Sequence, residues 1–172
     1  METPRLKPED LEAFLEAHTI AGKILRLEVP TPTVEAAAQA VGTGPGFIVK
    51  SILFLAGGKP VLAIACGPAY IDRRAVAAVF GVGRKQVKLA SAEEVLFMTG
   101  YPVGGMPPFG HRVPLPTLID RRVLEMRGEV YAGGGDESSL LRIDPQAILA
   151  AANARVIDLV TPIKHIPVKD GS

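Results

Sequence analysis

Residues 47–66 read FIVKSILFLAGGKPVLAIAC, two apolar runs separated by Gly57-Gly58. The first run, Phe47 to Leu55, is apolar on both faces and rich in β-formers, as a central strand is. The glycine pair supplies a tight turn, and Val61 to Cys66 then reads as the antiparallel partner. A buried hairpin of this kind needs cover on both faces, so helices are expected on either side of it in sequence.

They are readable there. Upstream, Glu9 to His18 carries Leu11, Phe14 and Leu15 at helical spacing, and Ile24 to Val29 reads as a short strand. A second helix is expected to be capped by Thr31, with Pro32 at its first position and Gly42 at its end. Downstream, Asp72 to Phe80 reads as an amphipathic helix stopped by Gly81, and Val87 to Leu89 as a short strand. Ser91 and Glu94 have the spacing of a capping box, which predicts a helix to Thr99 closed by Gly100. The stretch from Tyr101 to His111 reads as a loop. Strands are expected at Thr117 to Asp120, Glu129 to Ala132 and Leu140 to Ile143, and Asp144-Pro145 opens a last helix. Hairpins mixed with helices, without regular βαβ alternation, argue for an α+β or mixed-sheet class over a dinucleotide-binding one. No internal repeat or low-complexity linker divides the chain, so residues 1–172 read as one domain. Only the first few residues and the tail from Thr161 look expendable.

The 48% hydrophobic content is enough to fill one core without staples, and a single cysteine, Cys66, precludes a disulfide within the chain. Cys66 lies in an apolar run and reads as core, not nucleophile; a cytoplasmic address is the default. The charged N-terminus lacks the apolar segment of a secretion signal, and no stretch is long enough to enter a membrane. A net charge of +1 leaves little general attraction for nucleic acid, so any RNA contact is local or weak. Arg73-Arg74, Arg84-Lys85 and Arg121-Arg122 could touch phosphates, or could simply be solvated pairs.

Three places could carry chemistry. Lys50 sits in the central strand with apolar neighbours on both faces. Either it contacts an anion such as a phosphate or carboxyl ester, with burial lowering its pKa, or its ammonium reaches water at a strand end. The loop Gly104-Gly105-Met106-Pro107-Pro108-Phe109-Gly110 could present backbone N–H groups to an oxyanion on a stiff frame, or be a structural turn. Gly133-Gly134-Gly135-Asp136 could line a site with Asp136 orienting a water, an amine or a ribose hydroxyl, or form a hairpin with a solvated aspartate. Gly44 to Ser51 is not a phosphate loop, because no glycine precedes Lys50 and the segment runs on as a strand. His18, His111 and His165 are scattered, no metal site is readable, no cofactor is implied, and no Gly-x-Ser-x-Gly elbow exists.

Taken together, a small-residue helix, the Ile48-Val49-Lys50-Ser51 strand, the Gly-Tyr-x-x-Gly-Gly-x-x-Pro-x-Gly loop at Gly100 to Gly110, a glycine-rich turn and a final helix resemble the YbaK/ProX family of aminoacyl-tRNA editing domains. The resemblance covers roughly Thr31 to Val160. It implies a largely antiparallel, mixed sheet curled into a partial barrel with surrounding helices. It also implies hydrolysis of mischarged tRNA, chiefly misacylated prolyl-tRNA, with the tRNA acceptor end and prolyl-tRNA synthetase as partners. The family's lysine falls on Lys50, its glycine/proline loop on Gly104, Gly105, Met106, Pro107 and Pro108, and its glycine-rich element on Gly133 to Asp136, including Gly134 and Gly135. Insertion domains that remove alanine resemble each other in a histidine near that element, whereas Gly135-Asp136-Glu137-Ser138 stands here. The amino acid removed, Cys, Ala, Ser or Thr, is therefore not named by the resemblance. A non-catalytic module binding a nucleotide, an aminoacyl group or a synthetase, and a small-molecule ester or amide hydrolase, are the competing readings. Oligomeric state is not readable.

Overall fold

The computed structural model describes residues 4–160. The quoted hairpin forms as expected: β2 (Val49–Ala56) pairs antiparallel with β3 (Lys59–Cys66), from Val49 opposite Cys66 to Ala56 opposite Lys59. Gly57 and Gly58 have φ of 57° and 82°, a region that side-chain-bearing residues rarely enter. Earlier in the chain come α1 (Pro8–Ala17), β1 (Gly22–Arg26) and α2 (Val34–Val41); after the hairpin come α3 (Arg73–Phe80), β4 (Val87–Leu89), α4 (Ala92–Thr99) and β5 (Thr117–Asp120). The chain continues through α5 (Arg121–Glu125), β6 (Val130–Gly133), β7 (Ser139–Ile143), α6 (Pro145–Ala152) and β8 (Arg155–Ile157).

The class is α+β and the pairing largely antiparallel, in two sheets where one was expected. Three strands run in the order β1-β7-β6 and five in the order β4-β2-β3-β5-β8; neither sheet closes into a barrel. Parallel pairing is confined to β3 with β5 and β5 with β8. A single bridge between Ile48 and Tyr131 joins the sheets. One core lies under both, built on Leu53, Leu62, Ile64, Ile119, Leu141, Ile143 and Ile148. A second, with Val61, Ala63, Val76 and Leu159, fills the space beneath α3.

Local chemistry sets the element ends. Ser91 and Glu94 form the capping box, Asp72 and Asp144 cap α3 and α6, and Gly42, Gly81 and Gly100 end their helices in the left-handed conformation. Two boundaries differ from expectation. Thr33, not Thr31, caps α2, its Oγ1 accepting the Ala36 N–H at 3.0 Å. β1 begins at Gly22 and ends at Arg26, short of Val29, because Pro30 and Pro32 cannot donate to a ladder. Elements α5 and β8 were not anticipated. Both hang on Asp120, whose buried carboxylate accepts from the N–H groups of Arg122 (2.9 Å), Leu159 (2.7 Å) and Val160 (3.2 Å). The tail from Thr161 lies outside the described residues.

Candidate functional site

The seam between the sheets holds a cavity of about 150 Å³. One wall is the start of β2, with Ile48, Lys50 and Ser51. A second is the entry to α2, from Thr31 to Val34 with Ala37. The third combines Val103, Gly104 and Met106 with Gly133 and Leu140 of the smaller sheet. The walls are chiefly apolar, and none of the lining residues is an Asp, Glu or His.

Lys50 is half-buried, and its Nζ donates to the Ala69 carbonyl. Burial holds the ammonium below the ordinary lysine value, and the proximity of Cys66 and Glu35 opposes that shift. Of the two sequence readings, neither a solvated strand end nor full burial describes it: the ammonium is tethered at the rim of a small apolar cavity. Cys66 has its thiol pushed up by burial, the opposite of an activated nucleophile.

The two glycine-rich segments meet behind this cavity, backbone against backbone. Gly135 donates its N–H to Gly105 O at 2.8 Å, and Gly134 donates to Ser139 O at 3.0 Å. A Cβ on Gly105 would lie 2.5 Å from the Asp136 backbone, one on Gly134 2.5 Å from Ser139 C, and one on Gly133 against the Met106 carbonyl. Here the glycines are required by packing. The N–H of Gly105 is spent on Pro102 O at 3.0 Å, which withdraws it from the three donors expected for an oxyanion and leaves Gly104 and Met106 at the wall.

The remaining expected residues sit elsewhere. Gly134 and Gly135 are buried behind the wall. Pro107 and Pro108 are buried outside the cavity; Pro107 O accepts from His111 Nε2 at 2.7 Å, and Pro108 borders a groove with Phe14, Phe109 and His111. Asp136 is not brought to Lys50. Its Oδ1 accepts the Ser138 N–H at 2.9 Å and its Oδ2 lies 3.8 Å from Arg26 Nη1, in a separate depression with Arg5, Lys7 and Glu9. Sequence reasoning missed the α2 entry, Ser51 as a wall residue, and Leu140. Strand alternation could have indicated Leu140; nothing local could have indicated that the α2 entry folds over β2. Arg74, Arg84, Lys85, Arg121 and Arg122 are exposed, with Arg121 Nε 3.2 Å from Asp158. Among the described residues no group of three His, Cys, Asp or Glu could hold a metal ion, and no helix is long and apolar enough to cross a membrane.

With this geometry in place, comparison with known proteins is informative. Residues 28–151 match the aminoacyl-tRNA editing domain. A proline–tRNA ligase of Nitratidesulfovibrio vulgaris is 35% identical over 141 residues, 78% of this chain but 24% of the ligase, so the chain spans about a quarter of that relative. The Bacillus subtilis protein YwhH, uncharacterized, is 29% identical over 73% of this chain and 78% of its own. A solved structure described as a candidate trans-editing enzyme for prolyl tRNA synthetase superposes with a TM-score of 0.81 at 34% identity, covering 90% of this chain and 96% of that one. The chain belongs to the aminoacyl-tRNA editing domain family.

Proposed function

We propose that this member of the aminoacyl-tRNA editing domain family is a freestanding deacylase, cytoplasmic and acting in trans on mischarged tRNA, with misacylated prolyl-tRNA as its substrate. The observation that carries the reading is a tethered, partly desolvated ammonium, Lys50, facing a glycine backbone wall across a cavity too small for more than a short side chain. The similarity to proline–tRNA ligases and to the candidate trans-editing enzyme supports prolyl-tRNA as the carrier.

In this reading the aminoacyl group enters the cavity and the terminal ribose stays at its mouth. Lys50 binds the ester or the terminal phosphate, and the N–H groups of Gly104 and Met106 face the carbonyl oxygen as it gains charge. Water adds to the carbonyl carbon. The bond to the ribose oxygen then breaks, that oxygen takes a proton, and the products are the free amino acid and uncharged tRNA. No carboxylate or imidazole lines the cavity, so the vicinal ribose hydroxyl of the substrate positions the water. An aminoacyl ester is already activated, and holding it beside water among fixed dipoles supplies much of the acceleration. Asp136, turned toward Arg26 and Ser138, fixes the turn that backs the wall.

The test is release of radiolabelled amino acid from prolyl-tRNA charged with Ser, Thr, Cys, Ala or Pro, by wild type and Lys50→Ala. Turnover of at least one mischarged species, lost in the variant by about 100-fold or more, is expected. Stoichiometric binding of these tRNAs without turnover would instead identify a non-catalytic module.

A further inference from the structure

Ser51 Oγ is enclosed by protein and has no hydrogen-bond partner among the described residues. Ser51 also lines the cavity beside Lys50. An unpaired hydroxyl is a costly thing to keep in an interior, and native folds rarely do so without a use for it. Alanine at this point of β2, opposite Ile64, would complete the same wall at no such cost. Its neighbours in the cavity, Val34, Ala37, Ile48 and Leu140, offer no group to satisfy it. Thr33 is already engaged as the cap of α2.

The unused bonding capacity therefore points into a space where a small substrate group sits. A serine hydroxyl both donates and accepts, so it complements another hydroxyl or a thiol. It does not complement a charged side chain: the lining contains no carboxylate to meet a cation, and the apolar walls would strip water from either sign of charge. We propose that Ser51 Oγ is the hydrogen-bond partner of a hydroxyl or thiol on the aminoacyl side chain. The cavity then selects esters of serine, threonine or cysteine over alanine. This rests on the deacylase reading of the same cavity and adds the chemical class of the group removed.

The experiment compares kcat/KM for prolyl-tRNA charged with Ser, Cys or Ala, using wild type, Ser51→Ala and Ser51→Thr. Wild type should favour the Ser and Cys esters over Ala by about tenfold, the worth of one well-made hydrogen bond. Ser51→Ala should bring that ratio close to one, and Ser51→Thr, which keeps the hydroxyl, should preserve a preference for the Ser or Cys ester. Because the ratio is taken within one preparation, a poorly folded variant lowers all rates together without moving it. A wild type that hydrolyses the Ala ester as fast as the Ser and Cys esters overturns the inference and leaves the deacylase reading standing. An equal loss on all three esters in Ser51→Ala also overturns it, assigning Ser51 to the α-amino group that they share. No hydrolysis of any ester by wild type overturns both.

Discussion

Two hollows flank the same glycine-rich turn and are built on opposite electrostatic terms. On one side Lys50 stands among apolar walls with no acidic residue lining its cavity. On the other, Arg5, Lys7 and Arg26 share a depression with Glu9 and Asp136, where Arg26 meets Glu9 at 2.6 Å and Asp136 at 3.8 Å. In the depression the charges answer one another in solvent, an arrangement worth little to stability and with nothing left over for a ligand. In the cavity the charge is left without a carboxylate, held by one carbonyl and partly desolvated, which costs stability and is useful only when an anion or polarised ester arrives.

The sharpest break of this contrast is a pair of substitutions that each remove one charge. Lys50→Ala should lower deacylation by about 100-fold or more. Asp136→Asn, which keeps the shape of the turn and the acceptor for Ser138 N–H, should change it by less than about threefold, in line with the small worth of an exposed ion pair. Single-turnover rates on one mischarged prolyl-tRNA measure both. A large loss in the Asp136 variant would mean that the carboxylate turns into the cavity when substrate binds.

The wall shared by the two hollows can be tested by stability. Gly105→Ala or Gly134→Ala places a methyl within 2.5 Å of backbone atoms that cannot step aside. Each should destabilise the fold by about 2–4 kcal/mol, read from denaturant midpoints at constant m. Gly104→Ala, one residue away, meets only the Glu137 side chain at 3.3 Å, which can rotate away, and should cost well under about 1 kcal/mol.

This wall also marks how far the sequence could be read. The hairpin, the helix caps at Ser91, Asp72 and Asp144, and Lys50 as a candidate follow from period and capping chemistry within a few residues. The cavity does not, because its walls come from β2, the α2 entry, the Val103–Met106 turn and the two strands of a second sheet. The glycine runs were visible, but glycines that serve a ligand and glycines that let two backbones touch look alike in one dimension. Asp136 illustrates the same limit, since residue type suggests a base while only the fold says which hollow it faces. α5 and β8 are too short for a period and depend on Asp120, whose partners at Leu159 and Val160 lie about forty positions downstream.

The smallest expected effect goes against intuition, since it is a gain. Burial lowers the Lys50 pKa, so the folded chain binds that proton less readily than the unfolded chain does. Stability from this group therefore rises with pH between the folded and unfolded values, and at neutral pH the ammonium is a net cost. Lys50→Met keeps the stem and removes the charge. It should stabilise the protein at pH 7 while abolishing turnover, by less than about 1 kcal/mol because the group is still half in water. The advantage should shrink as pH is raised through the lowered lysine value, because the wild type then loses its buried charge as well. Over the same range wild-type deacylation, corrected for spontaneous base hydrolysis, should fall with an alkaline limb below the ordinary lysine range. Thermal melts of both proteins across pH decide the matter: a Lys50→Met protein less stable than wild type at neutral pH would mean that the bond to Ala69 outweighs desolvation, and the ammonium would then be a structural strut.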